Sequence, residues 1–248
     1  MSIRTISTVI ILLLISQAAL YSCKKNDTAG IKPAPGSPEA HQQAMVNKSF
    51  EESRKVLVAK VNNEPITMFS LLREMNAIAP QYLGQGQERT PEIDAKIRKD
   101  ALNTLIIQEL AVQEARKRGM QVQPDLIEKS IQKMKADARS EDAYHKELAA
   151  QGLSEEELRR SIEQDGLFEL IAVQEVDAKI KVTDQELRKR YAKEKAGLKD
   201  TAHKQMTFEE AKAMLEQKSR AEAAEKRMRA WEKELKKTAR IELVEQKK

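Results

Sequence analysis

Three histidines, His41, His145 and His203, are the side chains best suited to acid–base or metal chemistry in this 248-residue chain. They fall in three separate segments, and no paired-histidine or Cys-x-x-Cys spacing accompanies them, so no metal site is expected. No serine or cysteine nucleophile motif occurs, and no glycine-rich loop that could cradle a phosphate. The glutamates gather in EE and EEE runs on helical stretches, where a solvated face is the ordinary role. No catalytic residue, cofactor or small-molecule substrate is therefore expected. Lysines and arginines near the C-terminus alternate with glutamate, so a nucleic-acid backbone would meet mixed charge, and no nucleic-acid partner is expected either. Net charge is +5, with acids and bases interspersed. That balance favours solubility and is no nucleic-acid signature.

The one residue whose position suggests chemistry is Cys23, the single cysteine. Arg4 precedes an apolar run, VIILLLIS, and LYSC follows, ending at Cys23. The run is short for a membrane span and fits an export signal. A signal followed at once by cysteine resembles a bacterial lipobox, which expects cleavage after residue 22 and lipid on Cys23. Tyr21 is unusual inside such a box, and an ordinary signal peptide beside an isolated cysteine is the competing reading. Lys24 at the next position favours the periplasmic face of the outer membrane, with the inner membrane and the cell surface as alternatives. Residues 23–55 are polar and hold Gly30, Pro33, Pro35, Gly36 and Pro38, as a flexible tether does. His41 belongs to this tether and reads as solvated.

The elements beyond the tether read as mainly helical. Residues 56–61, VLVAKV, form a strand, Asn62 and Asn63 a turn, and Thr67 caps a helix starting MFSLLREMNAI. Further helices open at Pro91 and Pro124 and near Glu141, with stops at Gly119 and Gly152. Leu126, Ile127, Ile131 and Met134 form the seam of the second of these. Ser154 with Glu157, Thr183 with Glu186 and Thr207 with Glu210 are three capping boxes. The last of them opens a helix of about 30 residues, or about 45 Å. After it, residues 239–244 alternate in character as a strand does. The expected fold is mainly α, closed by a small β-clasp that pairs the strand at 56–61 with the one at 239–244. Residues 56–248 are expected to form one helical domain.

These segments resemble the SurA/PrsA-type chaperones of the bacterial envelope. VAKVNNEPIT is similar to the family's V-A-x-V-N-x-x-x-I-T start. ALNTLIIQELAVQEARKRGMQV, GLSEEELRRSIEQDGLFELI and KVTDQELRKRYAKEK are similar to three of its helices. The resemblance implies a SurA N-terminal-like helical chaperone domain. Many members insert a parvulin-type prolyl isomerase domain after the tyrosine-containing helix. Here that place holds only AGLKDTAHKQM, residues 196–206, whereas a domain needs about 50 residues or more. The isomerase motifs are absent, and His203 reads as a solvated loop histidine.

The function this implies is a lipid-anchored envelope chaperone, with unfolded or nascent exported polypeptides as partners and the membrane reached through lipid. Such binding needs an adaptable apolar surface, for which methionine is suited. The expected client-binding residues are Leu72, Met75, Ile78, Tyr82 and Leu83, beside Leu167, Phe168 and Ile171. Tyr82 and Leu83 border a Gly/Gln-rich loop, where apolar residues need a reason. An assembly factor for one dedicated partner and a residual prolyl isomerase are the alternatives.

Overall fold

The computed structural model describes residues 38–83, 88–197 and 205–244. Cys23, His203, the signal segment and the first part of the tether lie outside them. The chain divides into two compact units, one running to Glu169 and taking up the chain again from Ala239, the other Leu170–Thr238. Residues 56–248, expected as one helical domain, thus contribute to both units. The fold is mainly helical, with a small three-stranded antiparallel sheet.

The first unit opens with α1, Pro38–Lys55. This corrects the second half of the expected tether. Nothing after Pro38 in that stretch breaks a helix, and Phe50 finds a core to join. Its ring packs edge-on against Phe69, with centroids 5.7 Å apart. Arg54, one turn later, lies 4.0 Å over the same Phe69 ring and bonds Glu157 and the carbonyl of Gly152.

Strands β1, Leu57–Val61, and β2, Glu64–Thr67, form a hairpin. Asn62 and Asn63 both take positive φ, 51° and 80°, which gives the two-residue turn that right-twisted strands favour. The spacing predicts only a turn leading into a helix here. Four residues including a proline carry too weak a strand signal to read, and β2 is the correction. Strand β3, Ile241–Leu243, lies on the other side of β1, pairing Val61 with Ile241 and Ala59 with Leu243. The expected clasp between the two distant segments is therefore present, with β1 at its centre. The Asn62 carboxamide oxygen accepts from the Arg240 N–H at 2.8 Å, which ties the turn to the returning chain.

Thr67 caps α2, Met68–Ile78, by accepting from the Ser70 N–H. Helix α3, Pro91–Lys117, carries Ile97, Ala101, Ile106, Leu110 and Ala115 into the core. Helices α4, Pro124–Asp137, α5, Glu141–Ala150, and α6, Glu155–Glu175, follow. Phe69, Ile131, Tyr144, Leu148, Leu153 and Leu158 form one buried cluster, flanked by Phe50, Ile127, Met134 and Ile162. Leu126, expected in the α4 seam, is exposed. It lies on the solvent side of α4, one position before the half-buried Ile127.

The second unit takes the end of α6 and contains α7, Asp184–Glu194, and α8, Phe208–Lys237. Leu187 packs with Ala211 and Leu215, and Tyr191 meets Phe208 edge-on at 5.7 Å. The Tyr191 hydroxyl donates to the Met206 carbonyl at 2.6 Å. Arg190 joins Glu222, Glu194 and Ser219. Trp231 is buried, and the buried Glu175 pairs with Arg227.

Candidate functional site

Leu72, Met75 and Ile78 of the expected client-binding residues lie on α2, and Tyr82 and Leu83 come directly after the 3-10 turn, Ala79–Gln81, that follows it. Leu72 is 45% exposed, large for an apolar side chain on a packed helix. Ile78, Tyr82 and Leu83 are half-buried. Met75 is buried and belongs to the core, because α2 turns residues 71 and 75 together towards α3. Tyr82 has a specific reason to stand at the loop: its hydroxyl donates to Asp100 at 2.7 Å, fixing the end of α2 to α3. That hydrogen bond to Asp100 holds the Tyr82 phenol above its ordinary range.

The other three lie on α6. Leu167 is buried, at 2% exposure, and Phe168 is half-buried. Ile171 is buried and falls past the boundary into the second unit. Met75, Leu167 and Ile171 therefore serve packing in this conformation. The first unit does not gather all eight into one apolar surface.

What it gathers instead is a polar set at the α2, α3 and α6 contact. Gln108 Nε2 donates to Asp165 Oδ1 at 2.7 Å. Arg73 and Glu74, adjacent on α2, are close enough to act on Asp165 electrostatically. Burial pushes the Asp165 carboxyl up to about 6, against the opposing pull of Arg73 and the Gln108 hydrogen bond. Burial, and then the nearby Asp165 charge, also raise Glu74, and burial lowers Arg73. Asp165 lies seven residues beyond Leu158, a core position of the same helix. A carboxylate on an apolar seam was the available sequence signal, and helical spacing alone assigns it no partner.

A displaced carboxylate of this kind is a candidate acid or base. Its hydrogen-bond partner is an amide, however, so the set holds no nucleophile for it to activate. Among the described residues no three His, Cys, Asp or Glu side chains converge to hold a metal ion. His145 is exposed on α5, with its ring 5.2 Å from Tyr144, and His41 is exposed on α1.

The Asp165 shift has a consequence for stability. Its folded-state value lies above the ordinary carboxylate range, so the native chain holds the proton more tightly than the unfolded one. The stability this proton contributes is complete below about pH 4 and is lost as pH rises through about 6. Asp165→Asn keeps the acceptor for Gln108 and removes the buried charge. We expect it to stabilise the protein by about 1–2 kcal/mol at pH 7, with the gain vanishing near pH 4. Urea unfolding at the two pH values checks this, and a variant less stable than wild type at pH 7 would overturn it.

A SurA-like N-terminal domain family model matches residues 42–172, a little over half of the chain. Chaperone SurA of Burkholderia orbicola (strain AU 1054) is 28% identical over 171 residues, covering 68% of this chain and 36% of that protein. Chaperone SurA of Bordetella pertussis (strain Tohama I) is 24% identical over 187 residues, covering 75% of this chain and 35% of that protein. The chain thus spans about a third of the length of the curated relatives it matches. Among solved structures, a chain from the work on PEB4 and Cj1289, two SurA-like chaperones of Campylobacter jejuni, aligns over 77% of this chain and 100% of its own. Its TM-score is 0.49 at 13% identity, too distant to carry an argument. On the match across residues 42–172, which takes in the hairpin, α2 to α5 and most of α6, the chain belongs to the SurA-like N-terminal domain family.

Proposed function

We propose that the protein is an exported chaperone that holds unfolded polypeptides by reversible apolar contact, without ATP and without isomerase activity. The observation that carries this reading is the family match over the first unit, whose relatives are named as chaperones. Leu72 is the client-contacting residue, with the half-buried Ile78, Tyr82 and Leu83 following it in the same segment, while Met75, Leu167 and Ile171 are core residues. The connection between α7 and α8, residues 195–207, is too short for an isomerase domain of about 50 residues or more. Lipid on Cys23 anchors the chain at the periplasmic face of the outer membrane. No helix among the described residues is long and apolar enough to cross a membrane, so this reading assigns attachment to the lipid.

The purified protein is expected to suppress aggregation of a chemically unfolded client at near-stoichiometric ratio; no suppression at any ratio would overturn the proposal. Leu72→Ser is expected to weaken suppression about two- to fivefold, the loss of one exposed apolar contact. Its melting temperature should stay close to wild type, because Leu72 is already half in water. A proline-limited refolding assay is expected to show no acceleration. Cys23→Ser is expected to move the protein from the membrane fraction to the soluble one.

A further inference from the structure

The sheet has two edges, and the chain treats them differently. In the β1–β2 hairpin, Val61 and Glu64 flank the two-residue turn as a hydrogen-bonded pair. Pro65, next along, therefore turns its nitrogen away from β1, towards the open side. A proline there presents no donor, so the β2 edge is blunted against another strand.

The β3 edge carries no such block. The Asn62 N–H donates to the Arg240 carbonyl at 2.9 Å, and the Val244 N–H donates to the Val58 carbonyl at 3.0 Å. Antiparallel alternation then assigns Arg240, Glu242 and Val244 to β1. The N–H and C=O groups of Ile241 and Leu243 point the other way, off the sheet. The Leu243 side chain is 66% exposed, although its strand partner Ala59 is fully buried. The edge thus offers two outward amide units and an uncovered apolar side chain.

We infer that the open edge of β3 is a strand-addition site for an extended polypeptide segment with apolar residues at alternate positions. Outward amides at Ile241 and Leu243 are a ready template for a backbone partner, which an extended chain supplies and a folded helix does not. Guest residues opposite Ile241 and Leu243 fall on the apolar face of the sheet, beside Ala59 and Val61. The guest residue between them faces Glu242, whose carboxylate already pairs with Arg240, so a basic guest side chain would share that carboxylate and an acidic one is disfavoured. A second copy fits less well: self-pairing that uses all three β3 residues sets Glu242 directly against its own duplicate. The inference rests on the chaperone reading only for the guest being an unfolded polypeptide.

The test uses the purified protein and a ten-residue fluorescein-labelled peptide alternating valine and lysine. Wild type is expected to bind it at least tenfold more tightly than a version N-methylated at every second amide, which keeps the side chains and removes edge donors. Leu243→Pro gives β3 the same block that β2 carries and spares the Glu242 and Val244 bonds to β1. It is expected to weaken peptide binding at least tenfold, with the melting temperature within a few degrees of wild type. Should Leu243→Pro fail to fold, the N-methyl comparison on wild type decides alone. Equal binding of the two peptides, or no binding of either, overturns the proposal. So does a dimer, seen by sedimentation, that Leu243→Pro dissociates without any peptide binding. Aggregation suppression separates the two readings: suppression by wild type without preference for the unmethylated peptide sinks the edge and leaves the chaperone.

Discussion

Val61→Asp is expected to abolish cooperative folding of the first unit. Val61 is fully buried in the central strand, between β2 and β3, and its carbonyl accepts from Gln113 Nε2 on α3 at 3.1 Å. A carboxylate there would stand opposite Glu64 and Ile241, and leaving it ionised or forcing it neutral costs more than about 4 kcal/mol. Domains of this kind are stable by about 5–15 kcal/mol in all, so one such change removes much of the margin. Far-UV circular dichroism with thermal melting checks this. Lys60→Gln, one residue earlier and exposed, should shift stability by only about 0.5 kcal/mol. Matching melting curves for Val61→Asp and wild type would show that the clasp does not hold the unit together.

The second large effect is expected at Gly152. It ends α5 at φ +68°, a conformation that disfavours any Cβ by about 1 kcal/mol. An added Cβ would also stand 2.6 Å from Cδ2 of Phe50, too close for any real contact. The Phe50 ring would have to leave its place against Phe69, and the Gly152 carbonyl would shift away from Arg54. Gly152→Ala should therefore cost about 2–4 kcal/mol and loosen α1 first. Gly119→Ala is the control. Gly119 has φ +72° but nothing within 4 Å of its would-be Cβ, so only the backbone term of about 1 kcal/mol applies. Urea unfolding of the two variants, with amide exchange across α1, measures the difference. Equal losses would mean that Phe50 does not seat α1.

Both variants act where distant segments meet, which is also where sequence reading was least informative. The helices from Pro91, Pro124 and Glu141, the glycine stops and the three capping boxes all stand where the spacing places them. Each of these signals is completed within a few residues, because a cap closes onto its own first turn. The β-clasp was also legible, since two alternating segments in an otherwise helical chain have few partners but each other. Strand β2 and helix α1 were not legible. EPIT forms a strand only because β1 lies beside it, and residues 38–55 are held as a helix by Phe50 and Arg54, whose partners come 15 to 103 positions later.

The candidate site divides in the same way. Leu72, Met75 and Leu83 are alike in chemistry, and their types alone do not say which one faces water. Leu72 is uncovered and Met75 is covered because α3 packs along one side of α2 and not the other. The raised Asp165 carboxyl likewise exists only because two other helices close over an acid to which helical spacing alone assigns no partner. By itself the amino-acid order determined the helices after β1 and their ends, the family, and the shortness of the stretch between α7 and α8. Tertiary structure alone decided which apolar side chains are spent on the core, which amides of β3 remain open, and which charge is desolvated. Burial is a property of the neighbours that cover a residue, and those neighbours are chosen by packing across the chain.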